Sequence, residues 1–156
     1  MRKAPRGVTL VEMLLVVALI GILAMVGPRL MIQLQNFYMQ TTARNEIQRD
    51  ARVSIDIVNR FLRQASYRTI IIDTPAGQGP YSRITFDHVD GRTFKFYQAG
   101  SNLMQDVDGQ TRTVSRNLVY IAFSFPRSDF PKLVSVSMTM GKLAYRGEVK
   151  ELELTI

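Results

Sequence analysis

Gly7-Val8-Thr9-Leu10-Val11-Glu12-Met13 decides how the rest of this chain is read. A short basic leader (Arg2, Lys3, Arg6) stops at Gly7, and an apolar run from Val8 to Gly27 begins at once. Such a run, about twenty residues, is long enough to cross a bilayer as a helix. Its fifth residue, Glu12, is a carboxylate. An acid in the middle of a membrane helix costs roughly 2.5–3.5 kcal/mol on insertion scales, and a plain anchor has no use for one.

Two ordinary explanations account for less of the segment. A secretory signal needs small residues before its cut. Here Met25 stands where a small residue should precede a cut at Gly27, and Pro28 would follow. With no cysteine in the chain, a lipoprotein signal is excluded. A plain N-terminal anchor fits the length but gives Gly7 and Glu12 no role.

Glycine, apolar residue, threonine, leucine, apolar residue and glutamate at the head of a membrane helix resemble the class III signal of type IV pilins and type II secretion pseudopilins. The resemblance implies cleavage by prepilin peptidase between Gly7 and Val8, N-methylation of Val8, and pairing of Glu12 with the amine of a neighbouring subunit during assembly. Thr9 and nearby small side chains would help Glu12 sit between packed helices. Gly21 falls where the family commonly has a glycine. Pro28 stands one position before the usual proline and is expected to bend the helix there. The family's major pilins often close a C-terminal loop with a disulfide, which a chain without cysteine cannot do.

Composition bounds the remainder. The chain has 156 residues, 46% of them apolar, with eight Phe and six Tyr, enough for one modest core outside the membrane. Of the 20 basic residues three lie in the leader, leaving 17 against 13 acids, a net of about +4 for the processed chain. The leader's cations fit an end that stays cytoplasmic. The other cations are scattered along the sequence, so a nucleic-acid partner is not expected.

Beyond Pro28 the apolar pattern becomes one-sided. Leu30, Leu34, Phe37 and Thr41, then Ile47, Ala51, Ile55, Val58, Leu62 and Ala65, recur at helical spacing. Arg49, Arg52, Asp56, Arg60 and Arg63 fall on the solvated side, and Asp56 precedes Arg60 by one helical turn. The spacing predicts one helix from Val8 to Ala65. Gly21 and Gly27 would let neighbouring helices approach closely.

After Ser66 the period changes to two. Ile84, Phe86 and His88 alternate with polar residues, and Asp90-Gly91 reads as a turn into Phe94 and Phe96. Leu103, Gln105 and Val107 lead to Asp108-Gly109, a second turn, and then to Thr111–Ser115. Val119, Ile121, Phe123 and Phe125 make a strand closed by Pro126; Val134, Val136, Met138 and Met140 make another; Leu152, Leu154 and Ile156 finish the chain. Asp73 to Ser82, rich in Pro and Gly, reads as the loop joining helix to sheet. The expected class is α+β, a long N-terminal spine helix packed on an antiparallel β-sheet head, as in pilins. The expected parts are a leader (1–7), a transmembrane half-helix (8–28), an amphipathic half-helix (29–67) and a β head (68–156).

Asn59-Arg60-Phe61-Leu62-Arg63-Gln64-Ala65-Ser66-Tyr67 resembles the end of the spine in PilW-like minor pilins and J-type pseudopilins. The later Asp-Gly turn, the 108–112 hairpin and the strand opened by Asn117-Leu118-Val119 add to that likeness. It implies a filament subunit of the priming or tip complex, without catalysis or cofactor. The implied partners are sibling pilins or pseudopilins, prepilin peptidase and the assembly platform of the inner membrane, with the head in the periplasm. Glu12 separates the chain from K-type tip pseudopilins, which typically lack it. The alternatives are a competence-type DNA-binding minor pilin and a plainly anchored envelope protein.

No residue set reads as a catalytic site. With one histidine and no cysteine the usual zinc and thiol sites are out of reach. His88 is expected at the edge of the core. Asp106-Val107-Asp108-Gly109 reads as a hairpin, because the calcium pattern needs further oxygen ligands where Gln110 and Ser115 stand. Gly77-Gln78-Gly79 is too short to cradle a phosphate.

Overall fold

The computed structural model describes residues 7–127 and 132–142 and the backbone of 154–155. The chain divides into two compact units, Met1–Met39 and Gln40–Ile156. One helix, α1 (Leu10–Leu62), contributes to both and runs for 53 residues with Pro28 inside it.

From Leu10 to Gly27 α1 is apolar all round apart from Glu12, and every residue from 7 to 35 is exposed. In the second unit it becomes amphipathic and buries Ala43, Ile47, Ala51, Ser54 and Val58. Successive separations of four, four, three and four residues keep these on one stripe. The expected line through Ile47, Ala51 and Val58 is therefore the inward face, with Ile55 and Leu62 partly buried at its margins. Leu30, Leu34, Phe37 and Thr41 are exposed instead. Ala43 and Ser54, which the apolar pattern passes over, lie on the buried stripe.

Eight strands follow. β1 (Ile71–Asp73), β2 (Arg83–Asp87), β3 (Thr93–Ala99), β4 (Asn102–Val107) and β5 (Gln110–Ser115) form one antiparallel sheet in chain order. β6 (Leu118–Ser124), β7 (Ser135–Met140) and β8 (Leu154–Thr155) form a second. The α+β class is thus as expected, with the head built from two sheets. Phe86 faces Phe94 and Ile84 faces Phe96 across the β2–β3 ladder, and all four are buried. The Phe61 ring stacks on Phe94 at a centroid distance of 4.7 Å, joining the last turns of α1 to this cluster.

The turns show why the strands begin and end where they do. His88 N–H donates to Arg92 C=O and Gly91 N–H to His88 C=O, with Gly91 at φ +87°, so Val89-Asp90-Gly91 is a three-residue hairpin loop. Asp108 (φ +50°) and Gly109 (φ +89°) form the two-residue turn between β4 and β5, the left-handed pair that matches strand twist.

Four details depart from the sequence reading. First, α1 ends at Leu62, short of Ala65. Gln64 and Ala65 N–H groups bond to Phe61 and Leu62 carbonyls in tighter turns, and Ser66 N–H then bonds to Asp87 C=O. The end of β2 captures the backbone that would have continued the helix, and Ala65 bridges to His88. Second, the joining loop starts later than Asp73, because Ile71–Asp73 pairs with β2. Third, a register shift between Leu118 and Tyr120 turns Leu118 inward and leaves Val119 45% exposed. Fourth, Phe125 lies beyond β6 and is exposed. Leu152 and Ile156 lie outside the described residues.

A fragment spanning 31–156 is expected to be soluble and folded, since the stripe of α1 keeps its cover. Ile47→Ala should lower its unfolding free energy by about 2–5 kcal/mol. Urea denaturation checks this; an unchanged midpoint would mean that α1 does not pack on the sheets.

Candidate functional site

Gly7, Val8 and Thr9 are non-helical, and α1 begins at Leu10. Thr9 and Glu12 close that end reciprocally. Thr9 N–H donates to Glu12 Oε2 at 2.8 Å, Thr9 Oγ1 donates to the same oxygen at 3.1 Å, and Glu12 N–H donates to Thr9 Oγ1 at 3.3 Å. This is a capping box, in which the first helical turn's spare donors and the carboxylate satisfy each other. The sequence spells it as Thr-x-x-Glu, a signal that the reading of Thr9 as helping Glu12 sit between packed helices does not use. The Gly7–Val8 bond lies just outside the capped turn.

From the cap onward α1 presents uncovered apolar surface. Its most apolar 18-residue window has a mean hydropathy of 2.7 with none of it buried, so by length and composition it can cross a membrane. Leu10 is 76% exposed and Leu23 70%. A Cβ placed on Gly21 or Gly27 would meet nothing within 4 Å, so both positions are open to a neighbouring helix.

With this geometry in hand, the comparison with known families is specific. A family model described as the prokaryotic N-terminal methylation motif matches residues 2–27. The match marks a class III prepilin signal, as in type IV pilins and pseudopilins, and its span contains Gly7, Val8, Thr9 and Glu12. The signal supports a substrate of the prepilin-peptidase type, and the long apolar helix is consistent with anchorage in a membrane. No curated protein and no solved structure matches the chain.

In the head, the residues weighed for chemistry serve the fold. The His88 side chain is 9% exposed, lies against Phe61 and Phe94, and has Nδ1 2.8 Å from Asp90 Oδ1. The Asp106 carboxylate accepts Gly109 N–H at 2.8 Å and that of Asp108 accepts Thr93 N–H at 2.9 Å, so both brace the hairpin. Among the described residues no three His, Asp or Glu side chains are grouped to hold a metal ion. Gly79 packs under the Tyr120 ring, where a Cβ would come within 2.3 Å of a ring carbon, and Tyr120 Oη donates to Pro80 C=O.

In three ion pairs the basic partner lowers the pKa of the carboxylate. The Arg83 guanidinium bonds the Asp73 carboxylate and lowers its pKa; Lys142 does the same for Glu46 on α1. Arg92 holds Asp90 well below the usual carboxylate range. A carboxyl whose folded pKa is lowered stabilises the fold at every pH above its unfolded value, and that contribution is lost as the pH falls toward the folded value. The urea midpoint of the 31–156 fragment should therefore fall below about pH 4. Asp73→Asn should make that fall shallower, by a small amount because the pair is half exposed to solvent. Measurement of the midpoint against pH checks both.

Proposed function

We propose that the chain is a structural minor pilin or pseudopilin subunit. One observation carries the proposal: the class III signal at 2–27 coincides with the start of a helix whose apolar surface has no cover among the described residues. On this reading prepilin peptidase cuts between Gly7 and Val8, and Val8 is then N-methylated. The apolar half of α1 holds the subunit in the inner membrane with its head in the periplasm, and Pro28, which removes one helical hydrogen bond, bends the helix. The assembly platform then draws the subunit among sibling pilins, where Glu12 pairs with a neighbour's Val8 amine. The spine ending Asn59–Tyr67 supports a PilW-like or J-type place in the priming or tip complex of a type IV pilus or type II secretion pseudopilus. The role is structural, with neither catalysis nor cofactor.

Intact mass spectrometry of the membrane form, with and without prepilin peptidase, tests the first step. The expected product begins at methylated Val8, and Gly7→Ala should block its formation. A chain that keeps Met1 in the presence of the peptidase overturns the proposal.

Glu12→Gln tests the second step. Glutamine can still close a capping box with Thr9, so the helix start, membrane insertion and leader removal should survive. The charge that would meet a neighbour's amine is gone. Losing one member of a buried ion pair costs on the order of 3–5 kcal/mol. Filament yield, or co-purification with sibling pilins at equal abundance, should drop sharply; normal assembly would mean that the carboxylate is not an assembly contact.

A further inference from the structure

Between Glu12 and Arg44 the sequence holds a single charged residue, Arg29. Up to Gly27 the helix is apolar around its circumference apart from Glu12, whereas after Pro28 it is apolar on one side. At about 3.6 residues per turn, Leu30, Met31, Leu34, Phe37 and Tyr38 share a sector of roughly 120°, and Arg29, Gln33 and Asn36 fall on the opposite side. All five apolar side chains are open, from 53% exposed at Leu30 to 72% at Tyr38. Asn36 is half-buried, so the partial cover of this stretch falls on its polar side.

That change of pattern follows the surroundings a bilayer offers along its depth. Hydrocarbon meets a helix from every side, but the headgroup layer is apolar on one side and wet on the other. The open face is continuous with the apolar surface that can cross a membrane, and no charge separates its five side chains. Phe37 and Tyr38 are of the aromatic type that settles at headgroup level. Arg29, at the start of the stretch and exposed, can set its guanidinium on a lipid phosphate while its stem lies along apolar surface. Pro28 leaves one helical hydrogen bond unmade, which lets the helix tilt toward the surface there. A second copy of the chain fits this face less well, since five side chains fall far short of the roughly 20–30 residues a side of a stable protein interface. We propose that residues 29–38 form a lipid-binding segment, with Leu30, Met31, Leu34, Phe37 and Tyr38 set into the phospholipid leaflet at which the span ends and Arg29 on its phosphates. The proposal deepens the subunit reading, and it rests on that reading for a span that ends near Pro28.

The chain has no cysteine, so single spin labels can be attached to the full chain held one per nanodisc of phosphatidylcholine and phosphatidylglycerol. Label depth is read from collision rates with dissolved oxygen and with a water-soluble nickel chelate. Labels at Leu34→Cys and Tyr38→Cys should lie about 5–10 Å below the phosphate level, and those at Gln33→Cys and Asn36→Cys at or above it. The two pairs, Gln33 with Leu34 and Asn36 with Tyr38, decide independently, so a label that disturbs the native circular dichroism in one leaves the other. An upright helix would give Gln33→Cys and Leu34→Cys nearly equal depth, because neighbouring residues differ by about 1.5 Å along the axis, and that result overturns the proposal. A Leu34 label shielded from both reagents also overturns it, since protein would then cover the face. Val17→Cys separates this inference from the reading beneath it. With Val17 deep in hydrocarbon and Leu34 in water, the lipid-binding segment alone is wrong; with Val17 in water, the membrane reading fails and the segment with it.

Discussion

The head depends on burying a single stripe of α1 against strands that would otherwise expose a continuous aromatic face. Ile47, Ala51 and Val58 are at most 2% exposed, and so are Phe86, Phe94, Phe96 and Phe123. A three-stranded sheet and a five-stranded meander each have one apolar side, and neither is stable with that side in water. The small residues Ala43, Ala51 and Ser54 let the helix backbone come close. Burial is worth roughly 1.5–3 kcal/mol per large apolar side chain, so these few residues rival the whole net stability of a domain this size.

The two sheets are joined by backbone and side-chain hydrogen bonds as well as by the core. Leu118 N–H donates to Ser101 C=O, Phe123 N–H to Tyr81 C=O, and Gln98 Nε2 to Val119 C=O. β6 therefore lies alongside the first sheet without entering its ladder, and its outer edge is not left bare. Glu46–Lys142 and Asp50–Asn117 Nδ2 add polar ties from α1 to the segments flanking β6 and β7. These contacts are long-range in sequence, joining residues 96 and 67 positions apart, and so lie outside what a local pattern can reveal.

Legibility follows the same division. The helix and both Asp-Gly hairpins were readable because their signals are local: a period, or a glycine where φ must be positive. β1 was missed because three residues after a helix carry little periodicity, although Ile70-Ile71-Ile72 is a β-branched run. The inward turn of Leu118 depends on a register shift that strict alternation cannot encode. Arg63, Tyr67 and Lys132 line one cavity because the chain entering β7 returns beside the end of α1, so their grouping exists only in three dimensions. Thr9 is the opposite case, since its cap was written in the sequence as Thr-x-x-Glu.

That cap bears on how a carboxylate can sit at the head of a membrane helix at all. An isolated ionised group in hydrocarbon is costly, and a helix start leaves N–H donors unpaired, so the two deficits offset each other when Glu12 folds back on Thr9. The arrangement needs nothing outside the chain and therefore holds before any neighbour arrives. On the reading proposed here the Val8 amine exists only after the leader is removed, and it then competes for the same oxygen that Thr9 occupies. A charged amine adds the Coulomb attraction of opposite charges, which Thr9's neutral donors lack and which low dielectric magnifies. The exchange also frees Thr9 Oγ1 to keep capping through the Glu12 N–H, so the helix start need not unravel as the partner changes.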